Sequence, residues 1–237
     1  MTVILHIESA TKPCSAALSK GEELVFFKMN DRANSHAVQL GLIVDEALKF
    51  ASRQRLGIDA VSVSAGPGSY TGLRIGVSMA KGICYGYDVP LIALSTLRIL
   101  AGQALEKADE NTLLCPALDA RRMEIYTAVY NHKGEELKPA EALVLEENSF
   151  ENFYPGKTLC FFGDGAKKCM EQLSRKNICS LGALVPRASE MLLPALEAFR
   201  SGRFEKTAYF EPNYLKEFQA TVPKKLDRLI GKIDAPA

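Results

Sequence analysis

Histidine is scarce in this chain of 237 residues, which contains only His6, His36 and His132. No two of them have the HxxxH or HExxH spacing that places two imidazoles on one metal ion. A zinc or iron site of that kind is therefore not expected, and no metal or other cofactor is predicted. His6 lies within an apolar stretch and is predicted to be a core residue.

Other absences narrow the class of protein. The six cysteines include no CxxC pair, which is typical of buried, reduced thiols in a cytoplasmic protein. No uncharged apolar run approaches about eighteen residues, and the N-terminus lacks a signal-peptide pattern, so no membrane contact is predicted. The formal net charge of +1 gives no overall field that attracts nucleic acid, so any RNA contact must come from a local patch.

The chain does contain apolar runs that alternate with turn residues and helical patterns. Three meandering strands followed by alternating helices and strands predict an α/β fold, with a mixed sheet flanked by helices. The predicted elements are strands at 2–7, 15–18 and 24–27, a helix from 34 or 35 to 53, a strand at 60–64, a helix ending near Tyr85, a strand at 89–94 and a helix at 95–107.

The second half repeats the opening of the first. The pentapeptide KGEEL occurs at 20–24 and at 133–137, each time after a strand, an acidic turn and a second strand. A shared pentapeptide in the same relative place favours a duplicated domain over a coincidence between hairpins. Glu8 and Asp119 are the carboxylates of the two acidic turns, and such a carboxylate can organise metal and phosphate in duplicated, actin-like folds.

A glycine-rich loop, AGPGSYTG at 65–72, joins a strand to a helix, as in many phosphate-binding proteins. It matches neither the P-loop nor the dinucleotide fingerprint, and Pro67 removes a backbone donor. We predict a vestigial nucleotide cleft that lacks the groups for phosphate transfer. Its residues would be Glu8, Gly66, Gly68, Thr71 and Asp119.

Two helices carry surplus small or apolar surface. Gly72, Gly76, Ala80 and Cys84 recur every four residues, and this ridge lets another backbone approach closely. Glycine inside a helix costs about 1 kcal/mol relative to alanine, which a close neighbour would offset. That neighbour is either the protein's own sheet or another subunit. In the helix before it, Val38 and Leu42 lie outside the apolar stripe that predicts its core face.

Four stretches resemble one family: IES near the N-terminus, NSHAVQLGLIVDEAL at 34–48, SAGPGSYTGLRIGVSMAKGI at 64–83 and PLIALSTLRILAGQA at 90–104. They resemble the TsaB family, the dimerisation subunit of the bacterial complex that makes threonylcarbamoyladenosine in tRNA. The likeness is strong over the first hundred residues and looser after about 110. FEPNYLKEF at 210–218 also looks like the family's ending.

The resemblance implies a duplicated actin-like, Hsp70-like fold (ASKHA, ribonuclease-H-like) with lobes at 1–106 and 107–220 and a basic tail at 221–237. It also implies kinship with the catalytic subunit TsaD of the glycoprotease family. The metal-binding HxxxH of TsaD would fall here on Thr96 and Leu100. Neither side chain can replace an imidazole ligand, so the cleft is expected to lack the metal that the chemistry needs.

The function implied is that of a non-catalytic cytoplasmic scaffold in the tRNA-modifying complex. Its expected partners are a TsaD-type catalytic subunit, a TsaE-type ATPase, tRNA through the complex, and a second copy of the chain when alone. The two helices would meet the partner in a helical bundle. The residues predicted for this surface are Ser35, His36, Val38, Leu42, Asp45, Gly72, Leu73, Gly76, Val77 and Ala80.

Two other functions stay open. The chain could be a stand-alone actin-like ATP-binding enzyme or a glycoprotease-like peptidase, and the enzyme would bind ATP and magnesium at Glu8, Gly66, Gly68 and Asp119. The absence of P-loop, HxxxH and GxSxG patterns disfavours both. It could also be an RNA-binding protein that acts alone through basic doublets such as Arg121-Arg122 and Lys167-Lys168, although its near-neutral charge disfavours this.

Overall fold

The computed structural model describes residues 1–31, 36–151, 154–174 and 176–216, without the side chains of His36 and Ala37. Ser35 and the predicted tail at 221–237 lie outside these residues. The first half contains β1 (Val3–Glu8), β2 (Cys14–Lys20), β3 (Glu23–Asn30), α1 (His36–Arg53), β4 (Ala60–Gly66), α2 (Tyr70–Tyr87), β5 (Leu91–Ser95) and α3 (Thr96–Gly102). The second half contains β6 (Thr112–Asp119), β7 (Glu124–Tyr130), β8 (Glu136–Val144), β9 (Thr158–Phe162), α4 (Ala166–Gln172), β10 (Ile178–Gly182) and α5 (Leu192–Arg200).

The strands form two mixed sheets with the same topology. The first has the order β3-β2-β1-β4-β5. The pairs β3–β2 and β2–β1 are antiparallel, and the pairs β1–β4 and β4–β5 are parallel. The second has the order β8-β7-β6-β9-β10, again antiparallel through the first three strands and parallel through the rest. The repeated order and directions confirm the predicted duplicated, actin-like fold.

The two KGEEL segments form equivalent turns. Gly21 and Gly134, the second residue of each pentapeptide, have φ of +61° and +77°. Glycine is favoured there because it has no Cβ that a left-handed conformation would crowd. β3 begins at Glu23 and β8 at Glu136, which is the same position in each copy. The shared pentapeptide therefore encodes the same hairpin connection in both sheets.

Two helices pack against the sheet of the other half of the chain. α1 and α2 pack on the face of the first sheet formed by residues such as Leu5 and Ile7. α3 packs between the two sheets: its Ile99 contacts the first sheet, while Leu97 and Leu100 pack with Leu114 of β6. α5 returns from the second half to cover the opposite face of the first sheet. The division at 106/107 stays a prediction, and the structure places residues 188–200, predicted for the second lobe, on the first sheet.

The strand and helix predictions agree with the structure to within a few residues, with one exception. The helix predicted at 95–107 ends at Gly102, and a short 3-10 turn follows at Leu105–Lys107. His6 is a buried core residue, as predicted, with its ring nitrogens 2.7 Å and 2.9 Å from the hydroxyls of Ser62 and Ser19. None of the helices in the described part of the chain is long and apolar enough to cross a bilayer.

Candidate functional site

The glycine loop between β4 and α2 folds tightly against the segment that follows β1. Ser69 donates its amide to the carbonyl oxygen of Ala10 at 2.7 Å. A Cβ on Gly68 would lie 2.4 Å from that same oxygen. Gly66 has φ of +105°, and a Cβ there would lie 2.7 Å from the carbonyl oxygen of Asn213. The loop therefore needs its glycines for close packing within the chain.

Residues 205–216, which we call the C-terminal strap, cover part of this loop. The strap starts beside β5 and ends on the second sheet. Its contacts are the Glu205 amide to the Leu91 carbonyl (2.9 Å), the Lys81 ammonium to the carbonyls of Ala208 and Phe210 (3.0 Å and 3.1 Å), the Asn213 amide to the Ala65 carbonyl (2.7 Å), the Tyr214 ring to the Tyr70 ring (4.8 Å between centroids), and Lys216 to the Glu124 carboxylate. One face of the predicted nucleotide loop is thus occupied by the chain's own backbone.

Glu8 ends β1 with its carboxyl group fully buried. One oxygen, Oε1, accepts the Ala10 amide at 2.7 Å, while Oε2 has no hydrogen-bond donor among the described residues. Burial raises the pKa of Glu8 to about 7, because a charged carboxylate loses its hydration inside the protein. A buried, partly protonated carboxyl is a poor ligand for a divalent cation, which prefers ionised, accessible oxygen.

Asp119 ends β6, as Glu8 ends β1, but it has a different environment. Its Oδ1 lies 2.6 Å from the Lys168 ammonium and also accepts the Arg121 amide at 2.6 Å. Partial burial by itself would raise the pKa of Asp119, but these hydrogen bonds and the Lys168 charge bring it below the ordinary value. The positive charge that a nucleotide-bound cation would bring to this carboxylate is already supplied by Lys168.

The predicted cleft residues occupy three kinds of environment. Glu8 and Gly68 both contact Ala10 in the segment after β1, and Gly66 lies against Asn213. Thr71 is exposed at the start of α2, and Asp119 ends the equivalent strand of the second sheet. Within the described residues, no group of three or more His, Cys, Asp or Glu side chains is arranged to hold a metal ion.

The structure corrects the partner surface predicted on α2. Gly72, Leu73, Gly76, Val77 and Ala80 are all buried within this chain. A Cβ on Gly72 would lie 2.1 Å from the Ser9 carbonyl oxygen, and one on Gly76 would lie 2.2 Å from the Ser9 hydroxyl. The small-residue ridge therefore packs against the chain's own residues. These five residues are therefore not on the surface of the chain as described.

A different set of residues on the same two helices is exposed. Val38 and Leu42 of α1 have 66% and 53% of their surface exposed, although both are apolar. Asp45 is exposed beside them and pairs with Lys49 at 2.7 Å. On α2, Ser78, Gly82 and Gly86 recur every four residues on the exposed side. We call Val38, Leu42, Asp45, Ser78, Gly82 and Gly86 the α1–α2 face.

The exposed glycines of α2 have no explanation inside the chain. A Cβ on Gly82 or Gly86 would meet nothing within 4 Å. Each glycine destabilises a helix by about 1 kcal/mol relative to alanine, so helix propensity does not explain their presence. Gly41 of α1 lies beside Met79 of α2, which shows that the two helices pack side by side. Together they present one surface with apolar and small residues.

A second glycine loop, Gly163-Asp164-Gly165, follows β9 directly and was not predicted from the sequence. Gly163 has φ of +109°, close to that of Gly66, and Gly165 donates its amide to the Ala117 carbonyl at 2.9 Å. Asp164 accepts the Asp119 amide at 2.8 Å. The signal was an apolar run followed by two glycines one residue apart, which mirrors the run before Gly66.

Comparison with known proteins gives relatives over nearly the whole chain. The family model described as "TsaD: tRNA N6-adenosine threonylcarbamoyltransferase" matches residues 30–223. The tRNA threonylcarbamoyladenosine biosynthesis protein TsaB of Escherichia coli is 30% identical over 223 residues, which are 90% of this chain and 94% of that protein. TsaB of Bacillus subtilis is 29% identical over 147 residues, covering 61% and 63% of the two chains.

A solved structure supports the fold. The crystal structure of an uncharacterized protein with similarity to peptidase YEAZ from Pseudomonas aeruginosa superposes with a TM-score of 0.79. The two sequences are 24% identical, and the alignment covers 91% of this chain and all of that one. At this identity the likeness establishes the architecture of two mixed sheets with their helices.

Proposed function

The chain belongs to the TsaB family, and we propose from this that it acts in the formation of N6-threonylcarbamoyladenosine in tRNA, as a non-catalytic subunit that binds and supports a TsaD-type catalytic subunit. The curated relatives are named for this pathway, and the matching family model is that of the transferase. The observation that carries the scaffold role is the α1–α2 face.

The α1–α2 face has the composition of a helix-packing surface. Val38 and Leu42 expose apolar area that a partner helix would bury at roughly 25 cal/mol per Å2. Gly82 and Gly86 have open space at Cβ and would let a partner backbone approach closely. We propose that two helices of the TsaD-type subunit dock here in a helical bundle. The same face would join two copies of this chain when that subunit is absent, and a TsaE-type ATPase and tRNA would bind the assembly.

A non-catalytic role is consistent with the predicted cleft. The Glu8 carboxyl is buried, Asp119 is paired with Lys168, and the backbone of Asn213 covers Gly66. Thr96, at one of the two positions expected for the metal-binding histidines, is buried. These residues supply neither an accessible pair of carboxylates nor an open phosphate loop.

The test is light scattering after size exclusion, with the chain alone and mixed with its TsaD-type counterpart. Leu42→Glu and Gly82→Arg place a charge on the α1–α2 face and should weaken the one-to-one complex by at least about 100-fold. Leu193→Glu is the matched control, since Leu193 is a 64% exposed leucine on α5, outside the proposed face. Gly76, being buried, cannot be used to probe the surface.

Two results would contradict the proposal. If Leu42→Glu and Gly82→Arg fold normally and bind the counterpart as well as the wild type does, the docking face is wrong. The second is a wild-type chain that forms no complex and binds ATP with magnesium at micromolar concentration in a calorimetric titration. That result would favour the hypothesis of a stand-alone enzyme.

A further inference from the structure

The turn that joins β6 to β7 displays two arginines on unfavourable backbone. Arg121 and Arg122 have φ of +69° and +48°, and both side chains are exposed. Two consecutive left-handed residues are usual for asparagine and glycine, because a Cβ and a long side chain crowd this conformation. Strain of this kind persists only where neighbouring groups impose it, and it is concentrated at functional sites.

Lys168 and Asp119 impose the conformation. The Asp119 carboxylate accepts the Arg121 amide, and the Lys168 ammonium donates to that carboxylate and to the carbonyl oxygen of Arg122. Lys168 also lies 3.5 Å from the carbonyl oxygen of Glu124, on the far side of the turn. The Asp119–Lys168 ion pair thus stabilises the turn that carries the two arginines.

Two carboxylates lie near the turn, and the Arg121 charge contributes to the lowered pKa of Asp119. Asp119 is paired with Lys168, and Glu124 is paired with Lys216 of the strap. Neither Arg121 nor Arg122 forms a salt bridge with any of the residues that the structure describes. The turn therefore presents to solvent two adjacent guanidinium groups that form no salt bridge with the described residues, in a chain whose net charge is only +1.

We propose that the arginine turn, Arg121 and Arg122, binds the phosphodiester backbone of RNA. This rests on the proposed function, in which the chain works within a complex that modifies tRNA. The guanidinium fork matches two phosphate oxygens at once, and arginine is the side chain best suited to this contact. Such contacts fix the position of the RNA without reading its sequence. The turn would thus hold the tRNA body while another subunit acts on the target base.

The experiment uses the assembled complex of this chain with its TsaD-type counterpart and an unmodified tRNA transcript. Affinity is measured by fluorescence anisotropy at several salt concentrations. In Arg121→Gln/Arg122→Gln, the affinity should fall about 10-fold, and the slope of log affinity against log salt should become shallower by about 1 to 2. Lys20→Gln/Lys133→Gln is the charge-matched control. Lys133 lies about 20 Å away, at the opposite end of β7, and this variant should keep wild-type binding.

A second variant separates binding from folding. Arg121→Gly/Arg122→Gly removes both charges and also relieves the left-handed strain, so it should melt at or above the wild-type temperature while it binds RNA as weakly as the glutamine variant. Wild-type RNA affinity in both double variants would overturn the inference. So would a loss of affinity for ATP or inorganic phosphate with RNA binding unchanged, because the turn would then be a nucleotide site.

Failure of this inference is distinguishable from failure of the proposed function. Formation of the complex is read by size exclusion and does not depend on the arginine turn. If the complex forms but binds no RNA, the arginine turn is not an RNA contact, and the scaffold proposal stands. If no complex forms although both proteins are folded, the scaffold proposal fails, and the inference that rests on it fails too.

Discussion

The two lobes share a strand order but differ in how much helix they carry. In the first lobe, α1 and α2 have 18 residues each, whereas α4 in the second has seven. Between β8 and β9, the described residues contain no helix, and Leu145 and Phe150 cover the sheet there instead. A five-stranded sheet therefore does not need long helices to be covered. The extra helix of the first lobe carries the α1–α2 face, which we propose is used for partner binding.

The lobes also differ in the environment of the strand-ending carboxyl group and of the glycine loop. The carboxyl group that ends the first strand is buried and protonatable in one lobe, and exposed and ion-paired in the other. The glycine loop after the fourth strand is covered by the strap in the first lobe, while in the second it supports the arginine turn through Asp164 and Lys168. The two halves therefore share a framework and differ in the side chains at the same end of their sheets.

The largest expected effect is a difference in stability between alanine variants of the buried and the exposed glycines of α2. Gly72→Ala places a Cβ 2.1 Å from the Ser9 carbonyl oxygen and should lower the free energy of unfolding by about 3 kcal/mol or more. Gly82→Ala meets nothing within 4 Å and should raise it by up to about 1 kcal/mol. Urea denaturation of both variants measures the difference. Equal effects of the same sign would show that α2 does not pack as described.

A second prediction concerns the two strand-ending carboxylates. The pKa of Glu8 is raised from 4.5 to about 7 in the folded protein, so its contribution to stability is present below pH 4.5 and is lost as the pH rises through 7. Glu8→Gln should therefore gain roughly 2–3 kcal/mol relative to the wild type between pH 5 and pH 8. The measurement is the free energy of unfolding in urea at both pH values.

Asp119→Asn is the matched variant in the second lobe and should show the opposite sign. Because the pKa of Asp119 is lowered, its contribution is present above the ordinary carboxylate value and is lost as the pH falls through the lowered one. The wild type should thus lose its advantage over Asp119→Asn only in acid. A pH profile with the same sign as that of Glu8→Gln would mean that Lys168 does not pair with Asp119 in solution.

The smallest expected effect compares the two KGEEL turns. Gly21 and Gly134 both have positive φ, so alanine should cost about 1 kcal/mol at either position. Gly134→Ala should cost more, because its Cβ would lie 3.0 Å from the Arg98 guanidinium and 3.2 Å from Leu105, whereas Gly21 has open space. Thermal melts rank the two variants. The reverse order would place the second-lobe turn away from α3.

Local signals were sufficient to predict most of the fold. Strand patterns and the strand–glycine-loop–helix order are read from short stretches of sequence, and the KGEEL repeat marks the same short turn in each half. The α2 ridge shows the limit of such signals. A four-residue period tells which residues share a face but not what lies opposite, and here Ser9, 63 residues before Gly72 in the chain, decides it.

The parts that could not be predicted depend on distant partners. Asp119 and Lys168 are 49 residues apart, and no spacing rule connects them. The strap has no periodic pattern, and Lys81 reaches carbonyl groups 127 and 129 residues later in the chain. The segment FEPNYLKEF, of which residues 210–216 belong to the strap, was identified only as part of a resemblance, and a resemblance does not show which residues it contacts.

The position of the strap and α5 has a consequence for how the protein is made. Synthesis proceeds from the N-terminus, so both sheets leave the ribosome before the segments that complete the first one. One face of the first sheet lacks the cover of Met191 and Ala195 until they emerge, and Gly66 lacks that of Asn213 until the strap follows. Packing of the first lobe is therefore completed only after all strands of the second sheet have been translated. A chain that ends before α5 would expose the apolar residues of the first sheet that Met191 and Ala195 otherwise cover.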